Sequence, residues 1–166
     1  HGDEVLVPNI TFVATANAVE MTGAKPIFVD INPNNLNIDI DKIEASINKK
    51  TKAIIPVYVS GRSVNIKNIL TLAKKFKISV VEDSAEALFS QYKNKYLGTF
   101  GDLGCFSLAP NKIITTGQGG IIVTNKRSLY LKLVRLKDQG RVGPTTGGED
   151  KYVSVGYNFK YTNLQA

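Results

Sequence analysis

The sequence is short of the residues that several kinds of chemistry require. It holds one cysteine, Cys105, and one histidine, His1, in 166 residues, so it can close no internal disulfide and offers no cluster with metal-ligand spacing. Zinc chemistry and histidine-based triads drop out on that count. No apolar run approaches the length needed to cross a bilayer, and the opening residues lack the pattern of a signal peptide. A soluble protein of a reducing compartment, the cytoplasm, is the expectation, with no membrane partner. Internal repeats and low-complexity tracts are lacking as well.

What is present fits an ordinary folded domain. Apolar residues make up 43% and charged residues 21%, which excludes disordered and fibrous classes. Lysine and arginine number 21 against 14 acids, a formal charge of +7. That excess permits a polyanion partner but does not require one. The basic residues are scattered in small groups with no recognition motif, so they read as solvated faces and no nucleic acid is expected. The chain opens at His1 without an initiator methionine and stops at Ala166, and it reads as a fragment.

Short apolar runs alternate with helical patterns, which predicts an α/β fold: a three-layer arrangement of a mostly parallel sheet flanked by helices. Strands are predicted at Glu4 to Pro8, Pro26 to Asp30, Lys52 to Tyr58 and Ile78 to Glu82, all nearly continuous apolar runs suited to burial on both faces. A buried helix is predicted over Thr11 to Thr22, stopped by Gly23. Asp39 and Asn65 are placed to cap two more, the second with Ile66, Ile69, Leu70, Ala73 and Phe76 at helical spacing. Tyr92 to Tyr96 reads as a turn between short strands, followed by strand-like runs at Leu103 to Leu108 and Gly120 to Thr124. A last helix is predicted over 128–137 with Gly140 as its stop, and then a mobile loop over 141–150.

Ligands of such sheets collect beyond the carboxyl ends of the strands. Asp83 follows one strand, Ser107 ends another, and Lys112 lies just before the Gly-rich run Gly117-Gln118-Gly119-Gly120. Each has an unremarkable reading alone: a strand-end cap, a hydroxyl on a nearby backbone group, a surface lysine, a turn. Together they make the parts list of a pyridoxal 5'-phosphate (PLP) site. A lysine must hold the cofactor aldehyde and shuttle a proton, a carboxylate must face the ring nitrogen, and small hydroxyl and glycine residues must receive the phosphate. Cys105 sits in an apolar run and reads as packed rather than reactive.

At these residues the sequence resembles the DegT/StrS-type sugar aminotransferases, PLP enzymes of the aspartate-aminotransferase fold. The resemblance runs through GDEVLVPNITFVATANAV, GAKPIFVDI, TKAIIPVYVSG, VVEDSAEA, GTFGDLGCFSLAPNKIITTGQGG and GYNFKYTNLQA, in the family's order. It implies that 1–166 form part of a PLP-binding large domain, with an upstream phosphate-binding segment and a C-terminal small domain missing. It makes Lys112 the cofactor-bearing lysine and catalytic base, Asp83 the partner of the ring nitrogen and Ser107 a phosphate ligand. Phe12 falls where an aromatic side chain stacks on the ring. Lys160 falls where relatives reach the phosphate of the neighbouring subunit, so a homodimer with shared sites is implied. Glu86 stands where glutamine or histidine commonly lies near the ring oxygen, and an ionised carboxylate there repels a phenolate unless it is protonated or turned away. Gln118 replaces a commoner glutamate.

The implied activity moves an amino group, from an amino-acid donor such as glutamate, to a nucleotide-linked keto sugar for polysaccharide, glycan or antibiotic biosynthesis. Relatives that dehydrate sugars carry histidine in place of Lys112, so Asn111-Lys112 favours amino transfer. Two rivals stand beside it: a catalytically altered or regulatory protein of the same fold, and a non-enzymatic basic module that binds polyanions.

Overall fold

The computed structural model describes residues 1–143 and 147–166. Six strands form the central sheet: β1 (Glu4–Pro8), β2 (Lys25–Val29), β3 (Thr51–Ile54), β4 (Ser79–Asp83), β7 (Leu103–Ser107) and β8 (Gly120–Val123). A two-stranded hairpin, β5 (Gln91–Tyr92) and β6 (Lys95–Tyr96), lies between β4 and β7 in the chain. The order across the sheet is β2-β1-β3-β4-β7-β8. Neighbours are parallel except for β7 and β8, which run antiparallel.

Connection handedness places the helices. The chain leaves β1 for β2 through α1 (Ala14–Glu20), then returns past β1 to β3 through α2 (Ile40–Ser46) and goes on to β4 through α3 (Ile66–Phe76). Right-handed crossovers in opposite directions lie on opposite faces of a sheet. So α2 and α3 share one face and α1 takes the other. The pleat agrees with this: Leu6 packs in the main core with Ile43, Ile54, Ile69 and Val80, while its neighbour Val7 is also fully buried but lies outside that cluster.

Several expected boundaries move, each for a local reason. β3 ends at Ile54 rather than Tyr58 because Pro56 has no N–H for the ladder. The segment still follows β4, since Pro56 C=O accepts from Asp83 N–H at 2.9 Å and Tyr58 N–H donates to Asp83 C=O at 3.1 Å. α1 is shorter than 11–22, and it buries only Thr15, Ala16 and Val19, leaving Val13 and Met21 exposed. Asp39 caps α2 by accepting from Asp41 N–H at 3.0 Å. Asn65 does not cap α3, because its side-chain oxygen accepts from the Tyr92 hydroxyl instead. α4 covers Arg127–Lys137. The loop expected over 141–150 begins and is closed by strands, β9 (Arg141–Val142) pairing with β10 (Lys151–Tyr152), where Arg141 binds Asp138 and Asp150. Residues 144–146 of that expected loop lie outside the described residues. No helix of the described residues is long and apolar enough to cross a membrane.

One buried carboxylate organises the centre. Glu82 is fully buried. It accepts from the Tyr58 hydroxyl at 2.6 Å and from the backbone N–H groups of Gly98 at 2.8 Å, Phe100 at 2.6 Å and Gly101 at 2.6 Å. Burial, then the charge and hydrogen bond of Glu82, hold the Tyr58 phenol well above its ordinary range. The backbone there is so close that a Cβ on Gly104 would lie 1.9 Å from the Gly98 carbonyl oxygen. Glycine at 104 is a packing requirement.

Candidate active site

Asp83, Glu86, Ser107 and Lys112 gather at the carboxyl ends of β4 and β7, near the exit of β3; Phe12 and Lys160 do not join them. Asp83 pairs with Cys105 in the parallel ladder, and register partners point to the same face. Ser107 lies two residues past Cys105, so the pleat puts Asp83 and Ser107 on one face of the sheet. Burial first, then the charges of Asp83 and Glu82, push the Cys105 thiol up to about 11.

Lys112 is brought back over this end by a tight turn. Pro110 fixes the turn, whose Lys112 N–H donates to Ala109 C=O at 3.0 Å. Thr115 then closes the loop, its hydroxyl donating to Leu108 C=O at 2.9 Å and accepting from Gly117 N–H at 2.9 Å. The result is a cleft of about 240 Å³ lined by residues that include Ser60, Glu86, Ser107, Asn111 and Lys112. The Lys112 side chain is 18% exposed, and its Nζ lies 3.7 Å from Glu86 Oε1. The other Glu86 oxygen accepts from Ser60 N–H at 2.7 Å. The carboxylate is therefore turned between the backbone of the β3 exit and the lysine amine.

Asp83 is held at both oxygens. Oδ2 accepts from the Thr15 hydroxyl at 2.7 Å and Oδ1 from Ala85 N–H at 3.1 Å. Ser107 Oγ accepts from Ala109 N–H at 3.2 Å, so both residues keep modest capping roles; Ser107 also lines the cleft, whereas Asp83 is not among its lining residues. Phe12 is 79% exposed just before α1 and does not line the cleft. Lys160 lies elsewhere, with Nζ 2.7 Å from Asp138 Oδ1.

Thr15, Ser60 and the Glu82–Tyr58 pair escaped the sequence reading. Ser60 directly follows the β3 segment and was within reach of the strand-end rule. Its backbone is left-handed, at φ 52° and ψ 32°, an uncommon conformation for a residue with a Cβ. Thr15 had no signal beyond a hydroxyl on an Ala-rich helix.

Fold and cleft together define a three-layer α/β protein with a lysine-lined cleft at the carboxyl ends of its strands. The chain belongs to the DegT/DnrJ/EryC1/StrS aminotransferase family, which it matches over residues 1–166. It is 44% identical over 165 residues to a GDP-perosamine synthase of Escherichia coli O157:H7, covering 99% of this chain and 44% of that protein. A UDP-N-acetyl-3-dehydro-alpha-D-glucosamine 3-aminotransferase of Acidithiobacillus ferrooxidans is 40% identical over 166 residues, again with 99% of this chain and 44% of the relative covered. Among solved structures, Helicobacter pylori PseC, an aminotransferase involved in pseudaminic acid biosynthesis, superposes with a TM-score of 0.93 at 37% identity over 98% of this chain and 43% of its own. The chain thus spans less than half the length of these proteins.

Proposed function

We propose that this chain is part of the large domain of a PLP-dependent aminotransferase that delivers an amino group, taken from glutamate, to a nucleotide-linked keto sugar. One observation carries the reading: the mostly buried Lys112 side chain shares a cleft with Ser107 and Glu86, and Asp83, three residues before Glu86, is fixed on the sheet face of Ser107. Both named sugar-nucleotide relatives support the acceptor class.

The donor set fits the cofactor. An amine is available for an aldehyde, a hydroxyl at a strand end for a phosphate, and a carboxylate whose anchors are neutral donors remains able to pair with a cationic ring nitrogen. Once bound, PLP supplies an electron sink for carbanion chemistry. Lys112 anchors it and carries the transferred proton at Nζ. Asp83 would keep the ring nitrogen protonated and Ser107 would bind the phosphate; Phe12, exposed and outside the cleft, would cover the ring only once its side chain turns in. Lys160, paired with Asp138 in the single chain, would reach the phosphate of a second protomer as a point charge in a homodimer with shared sites; a cytoplasmic location is part of the same proposal.

The test uses the full-length parent protein. Purified with PLP, it should show the visible absorbance of a lysine-bound cofactor, and Lys112→Ala should abolish that band. An unchanged band in the variant would remove Lys112 from the assignment. Salt-dependent nucleic-acid binding with no visible band would favour the polyanion-binding rival.

A further inference from the structure

Thr15 lies on the helix after β1, and its hydroxyl has an unusual use. Thr15 is the second residue of α1, so no preceding helical turn offers its hydroxyl a carbonyl. Thr15, at 6% exposure, instead donates to Asp83 Oδ2 at 2.7 Å, across 68 positions of sequence. A second hydroxyl, Thr11 Oγ1, stands 3.4 Å from Thr15 Oγ1. Ala85 N–H occupies the other Asp83 oxygen at 3.1 Å. With one donor on each oxygen, the carboxylate has a single orientation about its terminal torsion, a torsion that is otherwise broad for aspartate.

We propose that Thr15 is a positioning residue, acting through Asp83, that sets the carboxylate's angle toward the cofactor ring nitrogen. The inference rests on the aminotransferase reading above. Phe12 precedes Thr15 by three residues, and its carbonyl accepts from Thr15 N–H at 3.3 Å.

Three forms of the full-length protein test this: wild type, Thr15→Val, which keeps the shape without the hydroxyl, and Thr15→Ser, which keeps the hydroxyl with less volume. The readouts are the dissociation constant for PLP and the nitrogen-15 resonance of ring-labelled cofactor, with melting temperature of the cofactor-free proteins as a fold control. Loss of a hydrogen bond to a charged group should weaken PLP binding by about ten-fold in Thr15→Val. The ring-nitrogen resonance should move toward the unprotonated value in the same variant. Thr15→Ser should restore both, although it removes the methyl that packs.

A merely structural threonine predicts the reverse order, with serine the worse substitute and the resonance unmoved. That pattern, or a Thr15→Val protein that matches wild type in affinity and resonance, would overturn the proposal while leaving the aminotransferase reading intact. A wild-type protein that takes up no PLP would overturn the functional reading itself.

Discussion

Replacing Glu82 by glutamine should cost this fold far more than an isosteric change normally does. The carboxylate accepts four hydrogen bonds, two on each oxygen: Tyr58 hydroxyl and Gly98 N–H on Oε2, Phe100 and Gly101 N–H on Oε1. An amide offers one accepting oxygen and one NH₂ group, which cannot accept. The less damaging orientation keeps the oxygen on Phe100 and Gly101 and turns the NH₂ toward Tyr58, whose hydroxyl can rotate to accept. Gly98 N–H is then orphaned in a fully buried site. An orphaned buried donor costs about 1–3 kcal/mol, and the loss of charge-assisted strength in the remaining bonds adds about 1–2 kcal/mol. The total is about 2–5 kcal/mol. Chemical unfolding of the full-length protein would measure it, and hydrogen exchange would locate it as faster exchange at Gly98, Phe100 and Gly101. Tyr58→Phe removes one donor and leaves three, so it should cost less. Because the two residues share a bond, the double variant should fall short of the sum of the singles. A Glu82→Gln protein destabilised by less than about 1 kcal/mol, with exchange at Gly98 unchanged, would refute the assigned network.

Gly104→Ala should destabilise by about 3 kcal/mol or more, visible as a large fall in melting temperature or loss of soluble protein, because the new methyl would meet the Gly98 carbonyl at 1.9 Å. Cys105, raised from 9.0 to about 11 by burial and by its acidic neighbours, should resist alkylation at neutral pH. Since the unfolded thiol ionises at lower pH than the folded one, its contribution to stability is complete below pH 9.0 and lost as pH rises toward about 11; Cys105→Ser should flatten that part of the pH-stability profile. Lys42→Ala should leave the melting temperature unchanged, since Lys42 and Asp30 form their ion pair with 53% and 56% of their side chains exposed.

The sequence by itself determined the layers and the placing of Asp83 and Ser107 at strand ends. Glu4–Pro8 is a strand as expected, because after Glu4 the run VLVP has no polar side to offer solvent, and the turn expected within Tyr92 to Tyr96 forms with Lys93 and Asn94 both at positive φ, 51° and 62°. Asp39 capped its helix because that bond is local, two residues away. Asn65 looked equivalent, yet Tyr92, 27 positions on, claimed its oxygen. The order β2-β1-β3-β4-β7-β8 and the bonds from Thr15 to Asp83, Tyr58 to Glu82 and Ser60 to Glu86 belong to tertiary structure alone. Periodicity and capping are encoded within a few residues, whereas a hydroxyl's choice among distant acceptors is made only when packing removes water and brings one of them within bonding distance.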